Sequence, residues 1–367
     1  MRFFLLVGTV QLILFLGHWF YYRTLVHFLG LTSSPRLQVL RLVTAFLSVS
    51  FVPASFLAFR YSNIPVRVLY TSAATWIGVL YLLILASFLC WLFYGCSRLF
   101  HFRINRHLLI GILTGIALLA SLYGIINSCL TRITRVNVHV EGLPALWKGK
   151  TAVWVSDTHL GQVRNLGFAR SIASLVESLN PDIVLLGGDL FDGVAAEPDL
   201  LLEPFSRLSP RYGTFFVAGN HEEFSESRLF VDAVRRSGIR VLQNEKVEID
   251  GLQIVGVAYR DTRREDSFRT VLENISVDRK RPTILLRHAP FHLNVAEEHG
   301  ISLQLSGHTH HGQVFLFRFI TQQVYQGYDY GLKRHGHLIV YTSSGTGTWG
   351  PPMRLDTKPE IVAFTFE

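Results

Sequence analysis

The amino-acid sequence predicts a multi-span α-helical membrane region followed by one α/β domain, and two observations lead to this prediction. First, 49% of the 367 residues are hydrophobic and the mean hydropathy is +0.30, an apolar excess concentrated in the first third of the chain. Second, the rest of the chain alternates short apolar runs with stretches of helical periodicity, the pattern of an α/β sheet. We place the transmembrane region, with about four helices, at residues 1–130 and the domain at residues 131–367.

Four stretches of the first region are apolar enough to cross a bilayer, which takes about 20 helical residues. They lie near Phe3–Tyr21, Leu40–Phe59, Tyr70–Leu92 and Leu108–Leu130. The first stretch exceeds the apolar core of a signal peptide and three more follow it, so we interpret it as a membrane helix. Pro53 is tolerated in the second because neighbouring groups can satisfy the freed carbonyl. We therefore expect an integral, multi-pass membrane protein.

The chain is basic, with a formal charge of +8. Arginines beside the spans explain part of this charge, and a basic surface suits anionic lipid headgroups. Because these arginines are balanced between the two sides, the positive-inside rule selects neither orientation. The domain contains no basic cluster or nucleic-acid motif, so we do not expect a nucleic-acid partner. Cys90, Cys96 and Cys129 lie in or beside the spans and predict no disulfide framework.

Apolar runs bounded by turn residues predict the strands of the domain. The first follows the membrane region, where Val136, Val138 and Val140 alternate with polar residues. Further strands are predicted at 151–156, 183–187, 214–218, 239–242, 252–257, 283–287, 303–305, 337–342 and 361–366. Helices are predicted at Arg170–Leu179 and Arg228–Ser237, where apolar residues recur at helical spacing.

Five short polar clusters follow strand-like runs of the domain. They are Asp157-Thr158-His159, Gly188-Asp189, Gly219-Asn220-His221-Glu222, His288 and Gly307-His308-Thr309-His310. Side chains two apart on a strand point to the same face, so Asp157 with His159 can grip one ion. The candidate metal ligands are Asp157, His159, Asp189, Asn220, His288, His308 and His310. One shared carboxylate makes this set sufficient for two ions, and Asp189 is the best candidate to bridge them.

The composition of the ligand set indicates which metals and which chemistry to expect. A mixture of imidazole nitrogens with carboxylate and amide oxygens suits Mn, Fe or Zn better than Ca or an all-oxygen Mg site. Sites with two such ions, roughly 3.5–4 Å apart, hydrolyse phosphate esters by clamping the attacking and leaving oxygens. The sequence therefore predicts two divalent metal ions and a phosphoryl hydrolase.

The five clusters, in this order, resemble those of the calcineurin-like metallophosphoesterase superfamily over roughly residues 131–367. The segment 346–354 resembles the tail of a membrane-linked subgroup with bacterial YkuE- and YaeI-like proteins and vertebrate transmembrane proteins with a metallophosphoesterase domain. The vertebrate proteins resemble it most, because several hydrophobic spans precede their catalytic domain too. Glu222 stands where many relatives have Asp. The resemblance implies an αββα sandwich of two packed sheets flanked by helices.

The resemblance also implies how the ligands are divided. Asp157, His159, Asp189 and His310 would hold the first metal, and Asp189, Asn220, His288 and His308 the second. His221 would be catalytic, facing the scissile phosphate as an acid or charge stabiliser. A hydroxide bridging the metals would attack phosphorus in line, and His221 would help to protonate the leaving oxygen.

Several assignments remain open at the level of sequence. A domain tethered close to the bilayer favours a phospholipid or lipid-linked pyrophosphate substrate, and a soluble nucleotide or phosphopeptide is the alternative. A non-catalytic metal-binding module in trafficking or assembly is the rival function. Glu222 either orients His221 or caps a helix, and Asp192 is interpreted as a turn residue. Trp349 and Arg354 either contact substrate or serve packing.

Overall fold

The computed structural model describes residues 2–32, 35–193, 197–224 and 227–367. The chain divides into two compact units. One comprises Met1–Ile126 with Gly350–Leu355, and the other comprises Asn127–Trp349 with Asp356–Glu367. The predicted boundary between residues 130 and 131 stays a prediction.

The first unit is built from four long helices. They are α1 (Arg2–Phe28), α2 (Pro35–Arg60), α3 (Ile64–Leu99) and α4 (Arg106–Asn127). All four are long and apolar enough to cross a membrane. Large apolar side chains stay exposed on them, such as Phe4 at 78% and Leu42 at 72%, which suits lipid as the surrounding solvent. The chain is therefore a membrane protein, as predicted.

A short return of the chain completes the helical unit. Met353 is fully buried in a cluster with Leu82, Leu83 and Ala117. The backbone N–H of Arg354 donates to the carbonyl of Gly124, at 2.9 Å. Because Arg354 is buried here, its surroundings favour the packing alternative over contact with substrate.

The second unit contains twelve strands and seven helices among its described residues. The strands are β1 (Arg132–Val138), β2 (Thr151–Val155), β3 (Ile183–Leu186), β4 (Thr214–Phe216), β5 (Arg240–Val241), β6 (Glu245–Ile249), β7 (Leu252–Gly256), β8 (Thr283–Leu286), β9 (Leu303–Ser306), β10 (Gly331–His335), β11 (Leu338–Thr342) and β12 (Glu360–Phe366). The helices are α5 (Leu166–Ser178), α6 (Pro198–Ser206), α7 (Asn220–Phe224), α8 (Ser227–Arg236), α9 (Glu265–Ile275), α10 (Leu293–Glu298) and α11 (Phe317–Val324).

These strands form two mixed sheets of six strands each. The first sheet has the order β1-β12-β2-β3-β4-β5 and the second β10-β11-β9-β8-β7-β6. Strands β2, β3, β4 and β5 run parallel in the first sheet, and β7, β8, β9 and β11 run parallel in the second. The carboxyl ends of parallel strands meet at one edge of a sheet, where ligand sites of α/β proteins form.

Alternation along the strands produces a layered core. In β2, Ala152 and Trp154 enter the core shared by the two sheets, while Val153 and Val155 pack beneath the helices on the other face, because successive side chains point to opposite faces. The shared core takes Leu286 from β8 and Leu305 from β9. Helices α5, α6 and α8 cover the outside of the first sheet, and α9 and α10 cover the second. The αββα sandwich is thus confirmed.

Several elements of the second unit were not predicted, among them two strands at the edges of the second sheet. Strands β6 and β10 were not predicted, since both are largely half-buried or exposed and lack an apolar run. Helices α6, α7, α9, α10 and α11 were not predicted either. In α11 no side chain is buried and the half-buried residues are Arg318 and Thr321, so no buried apolar stripe marks the helix. The central strands agree with the prediction to within a few residues, because burial on both faces demands a continuous apolar run.

Candidate metal centre

Five of the predicted ligands lie just beyond the carboxyl ends of parallel strands. Asp157 follows β2, Asp189 follows β3 and Asn220 follows β4 in the first sheet. His288 follows β8 and His308 follows β9 in the second. The sandwich therefore brings polar loops of both sheets to one place.

The backbone is strained at five of the predicted ligands. Asp157, His159, Asp189, His308 and His310 all have positive φ angles, of 54°, 48°, 51°, 70° and 47°. Non-glycine residues rarely adopt this left-handed conformation, and such strain concentrates at functional sites where the surrounding fold imposes it.

Two glycines make room for the carboxylates. A Cβ added at Gly219 would collide with Oδ1 of Asp189 and lie 2.6 Å from its backbone nitrogen. A Cβ added at Gly307 would collide with Oδ2 of Asp157. Both positions therefore exclude any side chain, because nothing larger than hydrogen fits beside the carboxylates.

The first cluster comprises Asp157, His159 and His310. All three are buried, and their candidate ligand atoms lie within 4.8 Å of one another. The Nε2 atoms of the two histidines are 3.0 Å apart, and Nε2 of His310 lies 3.7 Å from Oδ1 of Asp157. Three donors thus converge on one point, as they would around an ion.

The second cluster comprises Asp189, His288 and His308, whose ligand atoms also lie within 4.8 Å of one another. Nε2 of His288 is 3.2 Å from Oδ2 of Asp189 and 3.2 Å from Oδ1 of Asn220. Nδ1 of His288 contacts the carbonyl of Gly187 at 2.8 Å. A donor hydrogen bond there fixes the ring and turns Nε2 towards the oxygens, as in metal-binding histidines.

Asp189 is shared between two groups of candidate ligand atoms. It groups with His288 and His308, and separately with His159 and His221. A carboxylate that reaches two donor sets is placed to bridge two ions. The assignment of Asp189 as the bridge, and of the seven residues as ligands, stays a prediction.

The electrostatics of the centre fit divalent cations. The ion pairs of Asp157 and Asp189 within the described chain are all with histidines. Burial lowers the pKa of His159 to about 4 and that of His308 to about 3, so both imidazoles are neutral and able to coordinate. Burial raises the pKa of Asp157 to about 6. Burial lowers the pKa of His288, but the charges of Asp189 and Asp157 outweigh burial and raise it to about 10. The two buried carboxylates thus attract positive charge, which metal ions would supply.

His221 lies beside the two clusters. Its backbone N–H donates to Oδ1 of Asp189 at 2.9 Å, and its ring centroid is 4.6 Å from that of His159. Nδ1 of His221 is 3.3 Å from Oδ1 of Asp192. Burial lowers the pKa of His221, but the hydrogen bond to Asp192 and the charge of Asp189 outweigh burial and raise it to about 9.

Asp192 is therefore more than the turn residue that the sequence suggested. Its carboxylate holds the ring of His221 from the side of Nδ1. Its place three residues after Asp189 is the only signal in the sequence, and spacing alone does not separate it from a turn residue.

Glu222 ties two ligand loops together. Its fully buried carboxylate accepts hydrogen bonds from the backbone N–H groups of Asp189, Phe191 and Gly219, at 2.9, 3.1 and 2.8 Å. Gly219 precedes the first residue of α7, so Glu222 makes the return bond of a capping box. Of the two alternatives for Glu222, helix capping agrees with these contacts.

Two tyrosines that the sequence did not suggest line the second cluster. The ring of Tyr259 lies 5.8 Å from that of His288 and 5.6 Å from that of His308. The ring centroid of Tyr325 lies 6.3 Å from that of His308. Neither follows a polar cluster, so only the folded chain reveals them.

Comparison with known proteins adds a family to this geometry. Residues 151–312 match the family model described as calcineurin-like phosphoesterase. An uncharacterized metallophosphoesterase of Aquifex aeolicus is 34% identical over 259 residues, covering 69% of this chain and 98% of that protein. The matched span contains all the predicted ligands.

Two further relatives belong to the subgroup that the tail segment suggested. A Danio rerio transmembrane protein with metallophosphoesterase domain is 30% identical over 263 residues, covering 66% of this chain and 59% of that protein. The Bacillus subtilis metallophosphoesterase YkuE is 26% identical over 241 residues, covering 61% and 82%. The chain spans 60% of the length of two metallophosphoesterases of Helicobacter pylori that it matches at 34% and 33% identity.

Proposed function

Because the chain belongs to the calcineurin-like metallophosphoesterase family, we propose that it is a membrane-anchored hydrolase of phosphate esters or phosphoanhydrides that uses two divalent metal ions. The observation that carries the proposal is the pair of ligand clusters, buried except for the half-buried His308, with Asp189 in reach of both. The donor set favours Mn, Fe or Zn.

Each residue of the centre has a role in this proposal. Asp157, His159, Asp189 and His310 hold one metal, and Asp189, Asn220, His288 and His308 hold the other. When bound, the metals would activate water and neutralise charge on the phosphate oxygens. The strained loops fix the ligands before substrate arrives, so little reorganisation is needed during the reaction.

His221 supplies the proton for the leaving oxygen. One of its ring nitrogens lies within 4.8 Å of the ligand atoms of His159 and Asp189, close enough to reach a phosphate held there. The ion pair with Asp192 fixes the orientation of the ring. General acid catalysis of this kind contributes about 10²–10⁴-fold to a rate.

The membrane region indicates which class of substrate to expect. Strand β1 begins at Arg132, shortly after α4 ends at Asn127, so the chain tethers the domain to the membrane by a short connection. This supports a phospholipid or a lipid-linked pyrophosphate as substrate. A soluble nucleotide or phosphopeptide is the alternative.

The first experiment measures metal content and turnover of the purified full-length chain in detergent. The substrates are p-nitrophenyl phosphate and bis-p-nitrophenyl phosphate, with Mn²⁺ or after chelation. We expect two metal ions per chain and metal-dependent hydrolysis. Asp189→Ala should lose metal and activity together, while His221→Ala should keep metal and lose about 10²–10⁴-fold in kcat.

Two exposed residues provide matched controls. Asp199→Ala and His337→Ala remove the same kinds of side chain from the surface of the domain, so both should retain metal and turnover. Wild-type protein that holds metal but cleaves neither ester, in detergent or in lipid, would contradict the proposal and favour a non-catalytic metal-binding module.

A further inference from the structure

An exposed apolar surface surrounds helix α11 in the second unit. No residue of α11 is buried. We call this surface the α11 patch and define it by Phe315, Leu316, Phe317, Phe319, Ile320, Val324 and Trp349, which are 41%, 38%, 46%, 47%, 55%, 55% and 61% exposed. Water-soluble domains rarely expose so many large apolar side chains together, so the patch needs an occupant.

Hydrogen bonds hold Trp349 in the patch although it is distant in sequence. The side-chain amide of Gln313 donates to the carbonyl of Trp349, and the backbone N–H of Trp349 donates to Oε1 of Gln313, both at 2.9 Å. The two bonds fix Trp349 beside the segment that leads into α11. The patch is therefore a built surface to which two separate parts of the chain contribute.

The charges around α11 suit the surface of a lipid bilayer. No Asp or Glu occurs between Val314 and Tyr328. Arg318 is the only charged residue of that stretch, and its guanidinium lies 4.9 Å from the centre of the Phe319 ring and 2.9 Å from Asp356. Amphipathic helices with Phe and Trp on an exposed apolar face lie in the interfacial layer of membranes, and the low charge of α11 leaves few groups to desolvate there.

The patch also borders the metal centre. His310 lies just before α11 in the chain, and Tyr325, just after it, contacts the ring of His308 at 6.3 Å. A Cβ added at Gly312 would collide with the backbone of Phe317 and Arg318, so the start of α11 packs directly against the His310 loop. A molecule whose apolar part lies on α11 would hold its polar end near the ligands.

The chain itself indicates which occupant to expect. It carries four helices that are long and apolar enough to cross a membrane, and the domain follows the last of them after a short connection. The short connection keeps the domain close to a bilayer, whereas a protein partner would have to be recruited. We propose that the α11 patch inserts into the headgroup layer of the bilayer and presents lipid-borne phosphate to the metal centre. The second half of this proposal rests on the proposed function.

The insertion is tested without turnover, by photo-crosslinking in the full-length chain. Benzoylphenylalanine replaces Phe319 in one variant and Leu200 in another, and each is reconstituted in phosphatidylcholine vesicles with phosphatidic acid. Leu200 is 48% exposed and lies on α6, outside the patch. Lipid adducts at position 319 and none at position 200 would support insertion. Adducts at 319 to a second copy of the chain, or equal lipid adducts at both positions, would overturn it.

The presentation of substrate is tested by comparing a lipid with a soluble ester. Phe319→Gln combined with Ile320→Gln should lower kcat/KM for phosphatidic acid in vesicles at least tenfold, and should change that for p-nitrophenyl phosphate less than twofold. Leu200→Gln combined with Leu229→Gln removes two apolar side chains of similar exposure elsewhere, 48% and 42% exposed, and should change neither value.

The outcomes separate the two proposals. An equal fall on both substrates in the patch variant would overturn the presentation of lipid, as would wild-type protein that cleaves the soluble ester but neither phosphatidic acid nor phosphatidylglycerol. Wild-type protein that cleaves no substrate would defeat the proposed function, while the crosslinking result would still decide whether the patch enters the bilayer.

Discussion

Asp189 illustrates how much of the centre depends on single residues. Its carboxylate reaches two groups of ligand atoms, its φ angle is 51°, and its backbone N–H is held by Glu222. A residue in this conformation persists only because its neighbours impose it. Substitutions of the residues around Asp189 therefore test the geometry of the centre as directly as a substitution of Asp189 does.

Gly219→Ala tests the space beside Asp189. The added methyl group would collide with Oδ1 of Asp189, so we expect loss of bound metal and of turnover while the helical content is retained. Metal analysis and circular dichroism measure the two effects. Gly111→Ala is the control, because nothing lies within 4 Å of its added Cβ. Full metal content in Gly219→Ala would show that the loop can move aside.

Asp192→Asn tests how His221 is positioned. Removing the negative charge weakens the contact with Nδ1 of His221 and leaves the predicted ligands intact. We expect kcat to fall about tenfold or more, a share of the roughly 10²–10⁴-fold that general acid catalysis contributes. KM and metal content should not change, and steady-state kinetics with metal analysis measure all three. Asp199→Asn on the surface is the control, and an unchanged kcat in Asp192→Asn would contradict the role.

At the scale of elements, short helix α7 joins two ligand loops. Its first residue is Asn220, and its Glu222 accepts from backbone groups after β3 and before α7. The cap of one helix thus fixes the distance between Asp189 and Asn220. The three hydrogen bonds that Glu222 accepts therefore stabilise both the start of α7 and the geometry of the centre.

Glu222→Ala should destabilise the domain. It leaves three buried backbone N–H groups without their acceptor, and each unsatisfied group costs about 1–3 kcal/mol before relaxation. We expect a loss of about 2–4 kcal/mol in the free energy of unfolding. The fall in Tm in detergent measures it, with Glu273→Ala on the exposed surface of α9 as the control. A Tm equal to that of wild type would show that water or other groups replace the carboxylate.

The sequence anticipated some elements and not others for a physical reason. Strands β2, β3 and β8 were predicted because all their side chains are buried or nearly so, and apolar runs announce them. Edge strand β10 has no apolar run in its sequence, because all its residues are exposed or half-buried. Helix α11 leaves its apolar residues exposed, and its half-buried residues are the polar Arg318 and Thr321, so the usual link between apolar residues and burial does not hold for it.

At the scale of the whole molecule, the two sheets contribute to one candidate metal centre from separate halves of the domain. Asp157 and Asp189 come from loops of the first sheet, and His288 and His308 come from loops of the second. Bound metal would therefore stabilise the sandwich against separation of the sheets, because ligands of both halves would share it.

Chelation should lower the Tm of the domain. Metal present at about 100 times its dissociation constant stabilises a protein by about 2.7 kcal/mol per site, and chelation removes this contribution. Differential scanning fluorimetry with EDTA or Mn²⁺ measures the change. The Tm of Asp189→Ala should respond much less to either addition. An equal response of variant and wild type would place the stabilising metal elsewhere.

The sequence by itself determined the membrane helices, the central strands and the polar clusters with their order. It could do so because each depends on local pattern: continuous apolar runs, strand ends and the residues that follow them. The structure alone decided that Asp192 holds His221, that Tyr259 and Tyr325 line the centre, and that α11 stays exposed beside it. These relations join residues from different elements, and packing of the two sheets, rather than any local spacing, brings them together.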